Sequence, residues 1–116
     1  MEHAYQACKN DDEEWKLLCA YGDITPGKIK RLSKSITLKR NWKELRVEIM
    51  YKLLLIKFSQ EPFKSLLLDT VGMEIQEGNL WGDTFWGVDL KTGKGKNILG
   101  TLIMQIRGGL YLEKFF

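Results

Sequence analysis

Residues 41–58 read NWKELRVEIMYKLLLIKF, the stretch of the chain with the clearest single period. Asn41 followed three residues later by Glu44 forms a capping-box pattern, and Leu45, Ile49, Leu53 and Ile56 recur at helical spacing. Val47, Met50, Leu54, Leu55 and Phe58 widen that stripe until little of its second half is left for water. A largely buried helix central to the core is expected. Beyond it, Ser59-Gln60-Glu61-Pro62 opens another helix through Phe63, Leu66 and Leu67, which Asp69-Thr70 ends. From Val71 the period falls to two: Met73 and Ile75 alternate with Glu74 and Gln76, and Gly78-Asn79 supplies a turn. A second short strand is expected within Phe85 to Leu90, and Lys91 to Lys96 is a polar loop. Asn97 caps the last helix, whose stripe is Leu99, Leu102, Ile103 and Ile106 and whose stop is Gly108-Gly109.

On the other side of residue 41, Ser35 to Lys39 reads as a brief extended link. Thr25-Pro26 offers an N-cap followed by the proline tolerated at a first helical position. Gly22-Asp23-Ile24 is a turn. Residues 2–21 are helix-forming, with Ala4, Cys8, Trp15 and Leu18 on an irregular apolar face and a break near Asn10, after which Asp11-Asp12-Glu13-Glu14 starts a second helix. The fold class is therefore α+β, a mostly helical single domain with a small β-sheet.

The chain's 116 residues suffice for one domain, residues 1–116, with a core of its own. With 44% hydrophobic and 28% charged residues, the composition excludes disordered and fibrous classes. The net charge of +3 points to no polyanionic partner by itself. Lys28 to Arg46, however, holds eight Lys or Arg residues against the single acid Glu44. That stretch suits a phosphorylated small molecule, a nucleic-acid surface, or a solvated face opposite the acids at 11–14. No zinc-finger spacing, helix-turn-helix signature or RNP motif accompanies it. Cys8 and Cys19 read as reduced thiols. No apolar run has the length of a signal peptide or membrane span, so a cytoplasmic chain with no membrane partner is expected.

Besides the basic stretch, three places carry candidate chemistry. The Lys91 to Lys96 loop has glycines and lysines that suit a phosphate cradle beside the start of a helix, or an ordinary surface turn. It lacks the Walker A spacing and its Ser or Thr. Trp81-Gly82-Asp83-Thr84-Phe85-Trp86-Gly87 sets two indoles beside a carboxylate, which fits a base-stacking pocket with an acid at its edge; the plain alternative is a turn capped by Asp83. On a first helix, Glu2 and Gln6 share a face, as do Gln6 and Lys9. His3 reads as a hydrogen-bonding residue; one histidine with Cys8 and Cys19 makes no metal site.

Together the elements Glu2-His3-Ala4-Tyr5-Gln6-Ala7-Cys8-Lys9, Thr25-Pro26-Gly27-Lys28-Ile29-Lys30-Arg31-Leu32, Trp42 through Met50, Asp83-Thr84-Phe85-Trp86-Gly87 and Gly95-Lys96-Asn97-Ile98-Leu99-Gly100, followed by Leu102-Ile103-Met104-Gln105-Ile106-Arg107, resemble the ordered motifs of the NADAR family, also called YbiA-like or DUF1768. The similarity spans nearly the whole chain. Ser33-Lys34 stands where the family commonly has Gly-Arg, and Arg46 where it has lysine.

The resemblance implies a YbiA-like fold and an N-glycosidase. Its substrate would be a phosphorylated ribosylamino-pyrimidine of the early riboflavin pathway, or ADP-ribosylated guanine. It implies catalytic roles for Glu2 and Asp83, a pocket wall at Trp86, and binding or support roles for Lys9, Asn97 and Arg107, with no metal and no cofactor. The partner would be a phosphorylated, nucleotide-like small molecule. The family segment with a Ser-Asn-Phe-Tyr-like motif, which precedes Glu-His-Ala-Tyr-Gln, has no counterpart before Glu2, so the domain is expected to be N-terminally truncated relative to the family. Two other readings stand beside the enzyme: an inactive truncated member that binds a nucleotide, and a basic nucleic-acid-binding protein. Oligomeric state is not legible.

Overall fold

In the computed structural model, residues 1–35 and 37–116 are described, the side chains of Glu14, Tyr21 and Ser35 excepted. The elements are α1 (Glu2–Ala7), α2 (Glu13–Tyr21), α3 (Pro26–Leu32), a 3₁₀ turn (Ser33–Ser35), α4 (Trp42–Phe58), α5 (Phe63–Leu68), β1 (Gly78–Asn79), β2 (Val88–Asp89) and α6 (Ile98–Glu113). They fall into two compact units, Met1–Leu53 and Leu54–Phe116. The fold is mostly helical with one two-stranded sheet.

In the first unit the sequence signals and the helix starts coincide. Asp12 accepts from the Trp15 amide at 3.0 Å and begins α2, and Thr25 Oγ1 accepts from the Lys28 amide at 3.3 Å with Pro26 next in line to begin α3. The break between α1 and α2 lies at residues 8–12, where the expected interruption sits. Trp15, Cys19 and Ile29 form the buried cluster, with Ala7, Leu18 and Ile24 against it. Both cysteines are free thiols, and burial pushes the Cys19 thiol up, which keeps it protonated and unreactive. The link expected as extended from Ser35 departs from that reading: Ser35 closes the 3₁₀ turn, and Ile36 lies outside the described residues.

α4 starts where Asn41 and Glu44 indicate, with the Asn41 carbonyl accepting from the Glu44 and Leu45 amides at 3.0 Å each. Its buried face is not the expected one. Trp42, Met50 and Leu54, at multiples of four, are buried, whereas Leu45, Ile49 and Leu53 are half-buried and Ile56 is 59% exposed. Hydrophobicity along the second half of α4 spreads nearly all round, so period alone could not select the inward row. Leu55 and Ile56 instead border an open cleft of about 390 Å³ with Ser59, Lys64, Ile106, Leu110 and Glu113.

The second unit corrects the strand assignment. Residues 71–76 form no strand; Ile75 donates its amide to Met104 Sδ at 3.4 Å, and its carbonyl accepts from Asn97 Nδ2 at 2.9 Å. Side chains thus engage the backbone groups that a ladder would have used. Gly78-Asn79, read as a turn, is β1, and it pairs in parallel with β2 in the register Gly78 to Val88 and Asn79 to Asp89. The Val88 amide donates to the Glu77 carbonyl at 2.7 Å and the Leu90 amide to the Asn79 carbonyl at 3.0 Å.

α6 buries Gly100, Leu102 and Ile106, with Leu99 and Ile103 half-buried, as the stripe indicates. It does not stop at Gly108-Gly109 but continues to Glu113. Neither glycine has a positive φ, and nothing lies within 4 Å of where a Cβ would stand. Glycine there lowers helix propensity without breaking the hydrogen-bond ladder. Gly109→Ala is therefore expected to raise unfolding free energy by about 0.5–1 kcal/mol. Gly87→Ala, whose methyl would run into the Glu77 carbonyl oxygen, should cost roughly 1–3 kcal/mol. Urea midpoints of the two variants against wild type check both signs.

Candidate functional site

Glu2 and Lys9 sit in the first unit. α1 has only six residues and is too short to persist alone, so its placement comes from tertiary bonds. The Trp15 indole N–H donates to the Gln6 carbonyl at 2.7 Å, and His3 Nε2 donates to the Ile24 carbonyl at 2.8 Å, the hydrogen-bonding role expected of it. Tyr5 and Trp42, both buried, have ring centroids 5.3 Å apart at 59°. Half-buried Glu2 accepts from Gln6 Nε2 at 2.5 Å.

Lys9 lies just past the end of α1, with Nζ 5.4 Å from the Tyr5 ring centroid and 3.4 Å from Ser33 Oγ. Burial holds the Lys9 amine below its ordinary value of 10.5; Glu2 opposes this and Lys30 adds to it. Glu2 and Lys9 are thus electrostatic neighbours, in an environment that sequence spacing suggests only in part. The burial comes from Tyr5 and from Ser33 on a different element, and nothing local signals it. The basic stretch also meets the acids at 11–14: Asp11 pairs with Lys16 and Lys39 at 3.3 Å each, which holds its carboxyl below the ordinary range.

Asp83 and Trp86 sit in the second unit, in a loop fixed by side-chain amides. Asp83 Oδ1 accepts from the Phe85 amide at 3.0 Å and the Trp86 amide at 2.9 Å, the capped turn named as its plain reading. Asn79, 2% exposed, clasps Asp83 from the other side, accepting from its amide at 2.9 Å and donating to its carbonyl at 2.8 Å. Asn79 was missed as a site-shaping residue, because Gly78-Asn79 carries the composition of a turn. Trp86 is half-buried and meets Phe85 edge to face at 4.8 Å.

The carbonyls of Thr84, Phe85, Trp86 and Gly87 accept from the amides of Lys96, Ile98, Leu99 and Asn97 respectively, at 2.8–3.3 Å. The Asp83–Gly87 and Gly95–Gly100 motifs are one structure. Of the two readings of residues 91–96, a phosphate cradle and an ordinary surface turn, the backbone bonds favour the turn. Lys91 donates its amide to Asp89 Oδ1, Thr92 and Gly93 donate to the Asp89 carbonyl, and Lys94 donates to Thr92 Oγ1. The Ile98 and Leu99 amides at the start of α6 are occupied by the Phe85 and Trp86 carbonyls, which withdraws these two donors from an anion.

Asn97 does not cap α6 with its side chain, although it stands at the N-cap in a left-handed conformation (φ 53°, ψ 42°). Its amide is turned away: Oδ1 accepts from Glu77 N–H at 3.0 Å and Nδ2 donates to the Ile75 carbonyl. Arg107 donates from Nη1 to the Thr70 carbonyl at 2.7 Å and to its hydroxyl at 3.1 Å, just past α5. Both residues hold the frame of the second unit in place. Among the described residues, no three His, Cys, Asp or Glu side chains gather to hold a metal ion. Among the same residues, no helix is long and apolar enough to cross a membrane.

A mostly helical α+β fold with an acid on its first helix, a half-buried lysine just past that helix, and an Asp-Trp loop tied to its last helix defines a class that known proteins share. The NADAR domain model matches residues 1–111. The chain is 34% identical to N-glycosidase YbiA of Escherichia coli K12 across 97% of its own length and 71% of that protein's. It is 42% identical over 71 residues to the chloroplastic riboflavin biosynthesis protein PYRR of Arabidopsis thaliana, covering 60% of this chain and 12% of that one. The NMR structure of E. coli YbiA superposes with a TM-score of 0.84 at 34% identity, covering 98% of this chain and 68% of that one. The chain belongs to the NADAR family.

The depressed lysine gives the first unit a measurable signature. Between its folded-state value and 10.5, the unfolded chain binds more protons at this group than the folded chain does, so its contribution to stability rises with pH across that window. Lys9→Met should lack that rise. Urea midpoints of both proteins taken through the alkaline range, and subtracted, check it.

Proposed function

We propose that this chain is an N-glycosidase that hydrolyses the bond between a base and a ribose in a phosphorylated, nucleotide-like substrate. The single observation that carries the reading is its likeness to N-glycosidase YbiA, in sequence and in fold, along nearly the whole chain. Support comes also from Glu2, a half-buried carboxylate with a buried-amide partner and a lysine as its electrostatic neighbour.

The chemistry follows from the charge that the reaction develops. As the C1′–N bond breaks, its electron pair leaves with the base and the ribose ring becomes cationic. Glu2 stabilises that charge and takes a proton from the attacking water, whose oxygen bonds C1′; the departing base nitrogen takes a proton from solvent, and Glu2 returns its own to solvent to reset the site. Trp86 offers an aromatic face to the base. Asp83, with one carboxylate oxygen engaged by the Phe85 and Trp86 amides, presents its other oxygen for positioning substrate or water. Lys9 provides positive charge for the phosphate. Asn97 and Arg107 support the site through their backbone bonds. The riboflavin-pathway aminopyrimidine ribotide is the first substrate in this reading, and ADP-ribosylated guanine the second.

Incubation with an aminopyrimidine ribotide is expected to release free base and ribose 5-phosphate. Glu2→Gln and Asp83→Asn, with unchanged circular dichroism, should each lose roughly 10²-fold or more of that rate. Absence of product above blank from both substrates at high protein concentration overturns the enzyme. Saturable binding that Trp86→Ala weakens, with no product, makes the chain a noncatalytic nucleotide binder instead.

A further inference from the structure

The Gln6 side chain is 1% exposed, and its two polar atoms are treated differently. Nε2 donates to Glu2 Oε1 at 2.5 Å, while Oε1 is buried with no hydrogen-bond partner among the described residues. The residue is also fixed through its backbone, since its carbonyl accepts from the Trp15 indole N–H at 2.7 Å. An apolar side chain of equal length would fill the same space without an orphaned acceptor, so packing gives no reason for an amide here.

A carboxamide has a donor end and an acceptor end, related by a half-turn of its terminal bond. With Glu2 ionised, the donor end faces it, as observed. With Glu2 protonated, the acceptor end can face it and receive the carboxyl O–H. No other group holds Oε1, so the half-turn breaks no bond on the far side. Of the titratable groups near the pair, Lys9 interacts electrostatically with Glu2 and in turn with Lys30 of α3, and His3, next to Glu2 on α1, is engaged by the Ile24 carbonyl; α2 contributes the uncharged Trp15 and the 3₁₀ turn the uncharged Ser33.

We propose that Gln6 is a positioning residue that holds the Glu2 carboxyl in both of its protonation states, its amide turning over as Glu2 takes up and releases the proton of the attacking water. The proposal rests on the N-glycosidase reading for its consequence, and on the Glu2–Gln6 contact for its geometry.

The test uses the intact chain and two kinds of readout. Gln6→Met should lower kcat by roughly 10²-fold with KM changed less than about twofold, because the carboxyl loses its orientation and the substrate keeps its contacts. Gln6→Glu should work only where the facing carboxyl groups share one proton, so its pH–rate profile moves to lower pH than that of wild type. Equal loss in kcat and KM with no movement of the profile overturns the proposal. Independently of turnover, the Gln6 side-chain amide resonances of wild type should shift through one carboxyl titration, and this response should vanish in Glu2→Gln. Amide resonances that ignore pH overturn the proposal even if Gln6→Met fails to fold. Absence of wild-type turnover, with the amide response present, overturns the N-glycosidase reading and leaves the pairing intact.

Discussion

Four consecutive carbonyls, from Thr84 to Gly87, need four donors, and Lys96 to Leu99, running into α6, supply them. A loop of this length normally satisfies its backbone by pairing in a sheet or by facing water. Here the only ladder among the described residues is two residues deep, and the first turn of a helix does the work of a neighbouring strand. The helix in turn has its Ile98 and Leu99 amides filled, which relieves the usual difficulty at an N-terminus. Each element thus meets the other's unmet requirement. This explains why Asp83 turns inward to hold the Phe85 and Trp86 amides, and why Gly95, at φ 154°, tolerates no Cβ against the Gly87 carbonyl. Trp86 owes its orientation to bonds on both sides of its peptide.

The first unit solves a different problem. Its six-residue α1 carries the acid yet has no side-chain N-cap and few internal bonds. One indole N–H and one imidazole fasten it to α2 and to the residue before Thr25. Trp15 is itself locked among Cys19 and Ile29, so the rigidity of the hydrophobic cluster passes to α1 through the indole N–H and through Ala7, which packs against the cluster. Such an arrangement places a carboxylate more reliably than the propensity of six residues can.

How much of this was legible depends on whether the deciding interaction is local. Thr25-Pro26 and Asn41 mark their helices because the bonds that start a helix act within three or four residues, and Pro62 marks α5 because its ring suits a helix start. The inward row of α4 was misjudged because Leu45, Met50, Leu53, Leu54, Leu55 and Ile56 nearly encircle the helix, and neighbours distant in sequence choose among them. Gly108-Gly109 looked like a stop because glycine's penalty was counted without the apolar residues that follow. Gly78-Asn79 looked like a turn because the partner strand lies beyond an irregular loop. For the candidate site, the motifs Glu2-His3-Ala4-Tyr5-Gln6 and Asp83-Thr84-Phe85-Trp86-Gly87 located the acids and the indole. They did not reveal that Asn97 clamps Ile75 and Glu77, that Arg107 braces Thr70, or that Lys9 is half-buried beside Ser33. Each of those facts is made by residues far apart in the chain.

The four tryptophans occupy very unequal surroundings: Trp15 and Trp42 are 7% and 5% exposed, Trp86 is half-buried, and Trp81 is 70% exposed. Emission from the native chain must therefore be a composite, with a red-shifted component from Trp81 that iodide extinguishes first. Replacing that one indole with phenylalanine would strip away the wet fluorophore and leave light from the three shielded rings, an intrinsic optical probe that requires no attached dye.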